Sequence, residues 1–547
     1  GNLAVTTPAE TLVRHFRELG FHRVFPGYVG VAEVVGHLAA DLAAVPPRSL
    51  SAPRSPGGHG PAVRSMPDDG RMPESALRRD RREVLMQWPT GRAARDLDDN
   101  ADFLSRRPAL AAAQARASAL GRPLLQPRSG VATPAGQLRL FTLLRQAGAD
   151  VLSYQIDSLT RLNSYEDAAA GIRASSPSTS VLNGFPAVNH GVPVLRAIAA
   201  QVQAPLQTRH STRDPRLLAE ISYAGGVTAF EGGAITYNIP YYKNYPLAES
   251  VPAWQYVDRL TGLYAERYGI VLDREFFGVL TATLLPPCLA VVTTLLEMLL
   301  AVEQGVRSVS LGYPEQGYRP QDVAAIETMA ELAHELLAGA NREQVSVTTV
   351  FHQYMGAFPT DVGKARTLIY GSATTAALSG CGRALLKTTA EARGIPSARE
   401  NVESVRLAHQ AVRLATPLDL DRAAVQREKT ILRDECGQLL DAVLSCGGGS
   451  VAAGIVKGFE LGLLDIPFAP NVDNRGEVLG LRDASGAVRL LRPGRLPLSR
   501  EIRQFHRERI QERLGGERAA RHASEVELVA ADIQRVAAGE FDDWPLR

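Results

Sequence analysis

Between residues 120 and 390 the chain repeats one pattern of apolar and polar positions: a short β-prone run ending in polar residues, then a longer stretch with apolar residues at helical spacing. The runs lie at 124–128, 151–157, 180–186, 205–210, 227–231, 279–286, 306–313, 345–353 and 384–388. Strands alternating with helices at roughly thirty-residue intervals predict a parallel α/β fold. A closed (β/α)8 barrel of the TIM type needs eight strands, so one of the nine runs is expected to be peripheral. Beyond residue 395 helical spacing dominates, at 398–414, 421–444, 500–513 and 524–538, broken by Asp465-Ile-Pro-Phe-Ala-Pro470. This predicts a helical C-terminal extension that caps the barrel or forms an assembly surface.

The front of the chain differs. Helical patterns at 10–19 and 32–42 flank a strand-like Arg23-Val-Phe25, a small α/β segment. Residues 45–80 are rich in Pro, Gly, Ser and Arg and cannot bury enough apolar surface to offset the entropy of ordering them, so they read as a flexible linker. The expected divisions are 1–44, 45–81 (linker), 82–395 (catalytic barrel) and 396–547 (helical region). No initiator Met opens the chain, which allows a processed or truncated piece.

Composition changes this picture little. With 60 basic against 58 acidic residues, the balance argues against a nucleic-acid binder or a membrane-surface protein. No apolar run reaches the roughly 18 residues of a membrane span, and no signal peptide is recognisable. Cys288, Cys381, Cys436 and Cys446 form no CxxC pair, so a disulfide framework is not expected and a reducing cytoplasm is.

The chemistry lies at the ends of the β-runs. Arg128, Arg161 and Arg209 each follow a different run, and in a parallel barrel those ends converge on one mouth. Guanidinium forks hold carboxylates bidentately, so three of them suit a substrate with two carboxylates; the alternative is that each pairs with a structural Asp or Glu. Glu231, in Phe230-Glu-Gly-Gly233, is placed to receive a substrate ammonium group, with glycines that let the backbone approach closely. Tyr237 and Tyr241 either reach the same pocket or pack in the core with a hydroxyl tip. Lys387 and Glu391 form a surface ion pair or grip a polar ligand. His352 lines the pocket or sits satisfied in the core. The sequence has no HExxH, GxSxG, Walker loop or zinc spacing, so no metal site is expected, and Cys446-Gly-Gly-Gly-Ser450 reads as a loop between helices.

From Val84-Leu-Met-Gln-Trp-Pro-Thr-Gly91 to about residue 539 the chain resembles the epsilon subunit of glutamate mutase (methylaspartate mutase). The resemblance is carried by Gln126-Pro-Arg-Ser-Gly130, Leu182-Asn-Gly-Phe-Pro186, Leu217-Leu-Ala-Glu-Ile221, Phe230-Glu-Gly-Gly-Ala-Ile-Thr-Tyr-Asn-Ile-Pro-Tyr241, Val347-Thr-Thr-Val-Phe-His-Gln353 and Asp465-Ile-Pro-Phe468. It implies a barrel over whose mouth a separate cobalamin-binding sigma subunit docks. It also implies adenosylcobalamin as cofactor, a 5′-deoxyadenosyl radical that takes hydrogen from C4 of L-glutamate, and (2S,3S)-3-methylaspartate as product. Arg128, Arg161 and Arg209 then match an arginine claw on the two carboxylates, and Glu231, the candidate catalytic residue, meets the amino group. Tyr237 and Tyr241 match substrate contacts, and Lys387 and Glu391 residues that hold the adenosyl ribose. Gly130, Asn183 and Met355 match pocket positions on the cofactor side. The assembly implied is a homodimer or a heterotetramer with sigma.

There are departures. The family's Lys-Thr-Pro-His-Glu run is Lys387-Thr-Thr-Ala-Glu391 here, its Gly-Glu-Cys-Gly is Pro314-Glu-Gln-Gly317, and Ala234 replaces a Gly. Residues 1–42 resemble the end of the flavodoxin-like sigma subunit, through Gly1-Asn2 and Phe16-Arg-Glu-Leu-Gly-Phe-His-Arg-Val-Phe25, as in a sigma–epsilon fusion. The Asp-x-His-x-x-Gly signature that ligates cobalt is absent from the chain, so the cobalt ligand is expected from another subunit or from a missing front half. A non-catalytic amino-acid-binding barrel or scaffold, and a mutase acting on a related dicarboxylic amino acid, remain the alternatives.

Overall fold

The computed structural model describes residues 70–539 apart from 118, 120, 177–178, 280–282, 418–419 and 517–522. The α/β segment expected at 1–44 and most of the expected linker lie outside the described residues. Helix α1 (Glu74–Val84) begins within the stretch expected to be linker. Leu77, Arg81 and Val84 recur at helical spacing and are buried, and Arg81 forks onto Glu220 at 2.7 and 2.9 Å. Arg78, Arg79 and Arg82 around them hide this face from a reading by composition. Helices α2 (Leu97–Ser105) and α3 (Leu110–Ala117) lead to the first barrel strand.

The barrel then runs β1 (Leu124–Pro127), α4 (Pro134–Gln146), β2 (Leu152–Gln155), α5 (Ser158–Arg161), α6 (Tyr165–Ala174), α7 (Ala187–Gln201), β3 (Leu206–Arg209), α8 (Arg216–Ala224), β4 (Ala229–Glu231) and α9 (Leu247–Tyr268). It continues with β5 (Asp273–Phe276), α10 (Pro287–Glu303), β6 (Ser308–Pro314), α11 (Arg319–Gly339), β7 (Ser346–His352), α12 (Val362–Leu378), β8 (Arg383–Leu386) and α13 (Ala398–Leu414). Local chemistry starts several helices: Thr133, Asp157 and Asp361 accept first-turn N–H groups, and Ser397 and Glu400 form a capping box. The strands are parallel in the order β1-β8-β7-β6-β5-β4-β3-β2. A bridge between Ser129 and Tyr154, with Gln155 N–H donating to Ser129 C=O at 2.8 Å, links β1 to β2 and closes the cylinder. The main apolar core lies between strands and helices; the barrel interior is largely polar.

Run 180–186 is not a strand, and the described residues of 279–286 form none. Residues 180–186 contribute one isolated bridge, Phe185 to Ile156. Residues 279–286 follow the true fifth strand, Asp273-Arg-Glu-Phe276, whose three charged side chains are fully buried. Charge in a row reads as loop; here each charged group finds a partner across the barrel or on a packed helix.

Helix α13 packs on β1, α4 and α12 as the eighth barrel helix. After it come α14 (Arg422–Cys446), α15 (Val451–Leu461), β9 (Val478–Arg482), β10 (Val488–Pro493), α16 (Arg500–Gly516) and α17 (Glu525–Ala538). The C-terminal extension is therefore helical around an antiparallel hairpin, β9–β10. Among the described residues no single helix is long and apolar enough to cross a membrane.

Candidate active site

Side chains pointing into the barrel form one connected polar network. Glu275 on β5 accepts from Arg383 Nη2 (2.7 Å), Gln207 Nε2 (2.6 Å), Arg209 Nη1 (3.1 Å) and His352 Nε2 (2.9 Å). Gln126 on β1 donates to Gln207 on β3 at 2.6 Å and accepts from Arg383. Below it, Gln114 of α3 accepts from Arg383 and from Ser310, both at 3.1 Å. Arg383 and Arg209 hold Glu275 well below the usual carboxylate range although its burial acts in the opposite sense. Burial pushes the His352 imidazole down to about 4, so it is neutral at pH 7.

Towards the mouth, Arg209 bridges inner network and site. It is 4% exposed and reaches Glu275 on one side and, through Nη2, Glu231 on the other; Tyr237 also donates to Glu231. Burial, with Glu275 nearby, raises Glu231 to about 7 against the pull of Arg209. The structural-pairing reading of the arginines thus holds for Arg209. It fails for the other two. Arg128 Nε donates to the Gln155 amide at 3.1 Å and Arg161 Nη1 to the Ser211 hydroxyl at 3.3 Å, and among the described residues neither has a carboxylate partner. Buried Nε atoms of Arg161 and Arg209 have no hydrogen-bond acceptor. The mouth therefore presents two guanidiniums with no carboxylate in ion-pair contact beside an arginine–glutamate pair, an arrangement that favours further anionic groups.

Arg161 ends the short helix α5, which Asp157 caps through Leu159 N–H and Thr160 N–H, both at 3.0 Å. Asn183 Oδ1 accepts Ser158 N–H at 2.9 Å and fixes the same turn. After β4, Gly232 has φ +102° and a side chain there would run into the Tyr237 ring, so the doubled glycine lets Tyr237 fold back over Glu231. Tyr241 stacks edge-on to Tyr237 at 5.9 Å and feels the charges of Arg161, Arg128, Glu231 and Arg209. Burial raises both phenols, Tyr237 the more strongly, so both are protonated donors.

Lys387, at the end of β8, pairs with Glu391 at 2.8 Å. Burial lowers the ammonium to about 8, with Arg128 and Arg209 adding to the effect, which places this pair within electrostatic reach of the same mouth. It is thus not a surface pair. Gly130 abuts the Gln155 carbonyl, where any side chain would collide, and Met355 packs partly buried beyond β7. The structure brings Arg128, Arg161, Arg209, Glu231, Tyr237, Tyr241, Lys387 and Glu391 to one end of the barrel. It ties Asn183 and Gly130 to backbone beside them, and places Met355 against the core.

The family model of the methylaspartate mutase E chain matches residues 106–542. Glutamate mutase epsilon subunits align over nearly their whole length. That of Escherichia coli O157:H7 is 41% identical over 84% of this chain and 95% of its own, and that of Desulfitobacterium hafniense 43% over 84% and 96%. The Halobacterium salinarum subunit is 42% identical over 88% and 99%. This chain belongs to the methylaspartate mutase E chain family. Among solved structures a Yersinia pestis DHPS overlaps at a TM-score of 0.29 and 13% identity, covering 54% of this chain and 95% of its own; the barrel assignment rests on the strand order instead.

The family match does not extend to residues 1–42, so the resemblance of that segment to a sigma subunit stays an expectation. Where this member of the family departs from the pattern, the substitutes are integrated: Gln316 accepts Leu285 N–H at 3.0 Å and joins the β5 and β6 loops, and Ala390 and Ala234 are buried. Glu231, Glu275 and His352 lie close enough to share an ion, but Arg209, Arg383 and Tyr237 already engage the two carboxylates. The sequence did not single out Glu275, Gln207 or Arg383 as site residues; Glu275 and Gln207 bond Arg209 directly, and Arg383 shares Glu275 with it. Glu275 was hidden with its strand; the alternation of Gln207 and Arg209 along one run was the available signal.

Proposed function

We propose that this chain is the substrate-binding, catalytic barrel of an adenosylcobalamin-dependent glutamate mutase that interconverts L-glutamate and (2S,3S)-3-methylaspartate. The observation that carries this reading is the pair of guanidiniums, Arg128 and Arg161, facing the mouth without carboxylate partners beside Arg209 and Glu231. An amino acid with two carboxylates supplies the missing charges. Its carboxylates take the forks of Arg128, Arg161 and Arg209, and its ammonium takes Glu231, which Tyr237 holds in place. With the ammonium adjacent, Glu231 stays ionised although burial, outweighing Arg209, raises it to about 7 in the ligand-free chain. Tyr241 closes the wall above Tyr237.

The Lys387–Glu391 pair fits the adenosyl part of adenosylcobalamin, offering a donor and an acceptor to ribose hydroxyls; Gly130, Asn183 and Met355 complete that side. The chain does not fit the cobalt, since no Asp-x-His-x-x-Gly occurs in it, and a cobalamin-binding sigma subunit or domain supplies that ligand. When bound, adenosylcobalamin supplies a radical that exchanges hydrogen with the substrate. The protein's share is to fix both ends of the substrate and keep water out, which is what radical rearrangement requires. Four free cysteines fit a reducing cytoplasm.

An anaerobic assay with L-glutamate and adenosylcobalamin, with and without added sigma subunit, tests the reading by following 3-methylaspartate by mass spectrometry. Product that depends on sigma is expected. No product from a complex that binds the cofactor overturns it in favour of a scaffold or another dicarboxylic amino acid.

A further inference from the structure

The segment around Asp465-Ile-Pro-Phe-Ala-Pro470 lies far from the barrel strands in sequence, and nothing in the proposed chemistry uses it. Its own side chains hold it rigid. Asp465 accepts the N–H groups of Gly476 (2.7 Å), Glu477 (2.6 Å) and Val478 (2.9 Å), while Asn474 bonds both the N–H (2.8 Å) and the C=O (2.9 Å) of Ile466. From this base Asn471, 3% exposed, reaches under the loop that joins β4 to α9. Its Nδ2 donates to Asn238 Oδ1 (3.1 Å), Tyr242 C=O (2.6 Å) and Tyr245 C=O (2.9 Å), and its Oδ1 accepts Asp473 N–H (2.9 Å). These partners leave one orientation for the amide, because its NH2 faces three oxygens. Val472 N–H donates to Lys243 C=O at 2.8 Å and Asp473 accepts Leu247 N–H at 2.6 Å, extending the seam to the start of α9.

That loop carries Tyr237 and Tyr241. Asn238 follows the first and Tyr242 the second, and the Tyr242 hydroxyl donates to Ser211 C=O and, at 3.2 Å, to Arg161 C=O. One buried amide outside the barrel therefore stands behind both site tyrosines and, through Tyr242, the backbone of Arg161.

We propose that Asn471 is a positioning residue for the substrate site, locking the tyrosine loop and Arg161 to the C-terminal extension. The inference rests on the mutase reading for its kinetic consequence and on geometry alone for the lock. In Asn471→Asp the NH2 is replaced by an oxygen facing three other oxygens; in Asn471→Ala the contacts are removed.

The test uses the full chain with sigma subunit and adenosylcobalamin. Amide exchange across 238–247 is expected to speed up in both variants, more in Asn471→Asp, with β7 unchanged. KM for L-glutamate is expected to rise about tenfold or more while kcat stays within about threefold. Asn474→Ala, which loosens the base of the segment but removes no contact to the tyrosine loop, is the comparison and is expected to move KM less. Unchanged exchange at 238–247 overturns the lock. Faster exchange with unchanged KM overturns the positioning role. If the wild-type complex does not convert glutamate, the mutase reading fails, and with it the kinetic role; the exchange result still decides the lock.

Discussion

Arg209 is 4% exposed with a carboxylate on either side, whereas Arg128 is half-buried and donates to one neutral amide. The same substitution therefore has different consequences at the two positions. Arg128→Lys keeps the charge and loses the fork, and no structural ion pair depends on it. Its KM for L-glutamate is expected to rise roughly ten- to hundredfold with the melting temperature unchanged. Arg209→Lys leaves Glu231 and Glu275 short of donors within the barrel, so it is expected to raise KM and also lower the melting temperature by several degrees. Steady-state kinetics and thermal unfolding on both variants decide this; equal loss of stability at the two positions contradicts it. The three arginines and Glu231 were legible in the sequence because each ends a β-run or follows it within a few residues. What distinguishes Arg209 from the others was not, since its partner Glu275 comes from a distant strand.

At the scale of elements, β5 is the informative case. Six barrel strands besides the short β4 fall in β-prone runs that end in polar residues and alternate with helices. Strand β5 offers Asp273-Arg-Glu before Phe276, because its side chains serve three surroundings. Asp273 bonds Ser308 and Ser310 of β6 at 2.7 Å, Arg274 turns outward to Asp258 of α9 at 2.6 Å, and Glu275 faces the barrel axis. Periodicity reports burial in apolar surroundings, so a strand whose neighbours on both faces are polar escapes it. Run 180–186 failed in the opposite direction, its apolar residues packing as a loop beside β2. The charge on β5 is a structural necessity once Arg209 and Arg383 are inside. Glu275→Gln leaves two buried guanidiniums without their shared counter-charge and is expected to cost on the order of 3–5 kcal/mol in urea unfolding. A loss below about 1 kcal/mol would show that the amide suffices.

Over the whole molecule several carboxyls are buried and raised, and this gives its stability a definite pH dependence. Burial raises Glu231 and Glu297 to about 7, Glu315 to about 8 and Asp322 to about 6. A carboxyl whose folded value is raised binds more protons folded than unfolded. Its contribution is complete below the unfolded value and is lost as pH climbs through the folded one. His352, lowered to about 4, acts oppositely, but its effect is over once pH exceeds the ordinary value of 6.5. Lys387, lowered to about 8, acts only above that. Glu275, held low, contributes fully throughout the neutral range. Between pH 6.5 and 8 Glu231, Glu297 and Glu315 are thus still changing while Asp322 has largely finished, and the urea midpoint of the ligand-free chain is expected to fall across that window. Glu315→Gln should remove the part of the slope nearest pH 8. A midpoint that is flat or rising there contradicts the assignment. Saturating L-glutamate provides a further check: under the proposed placement of its ammonium against Glu231, that residue is expected to stay ionised in the folded state and its share of the slope to vanish. The same buried carboxyl would then report on both the fold's stability and the charge of its substrate.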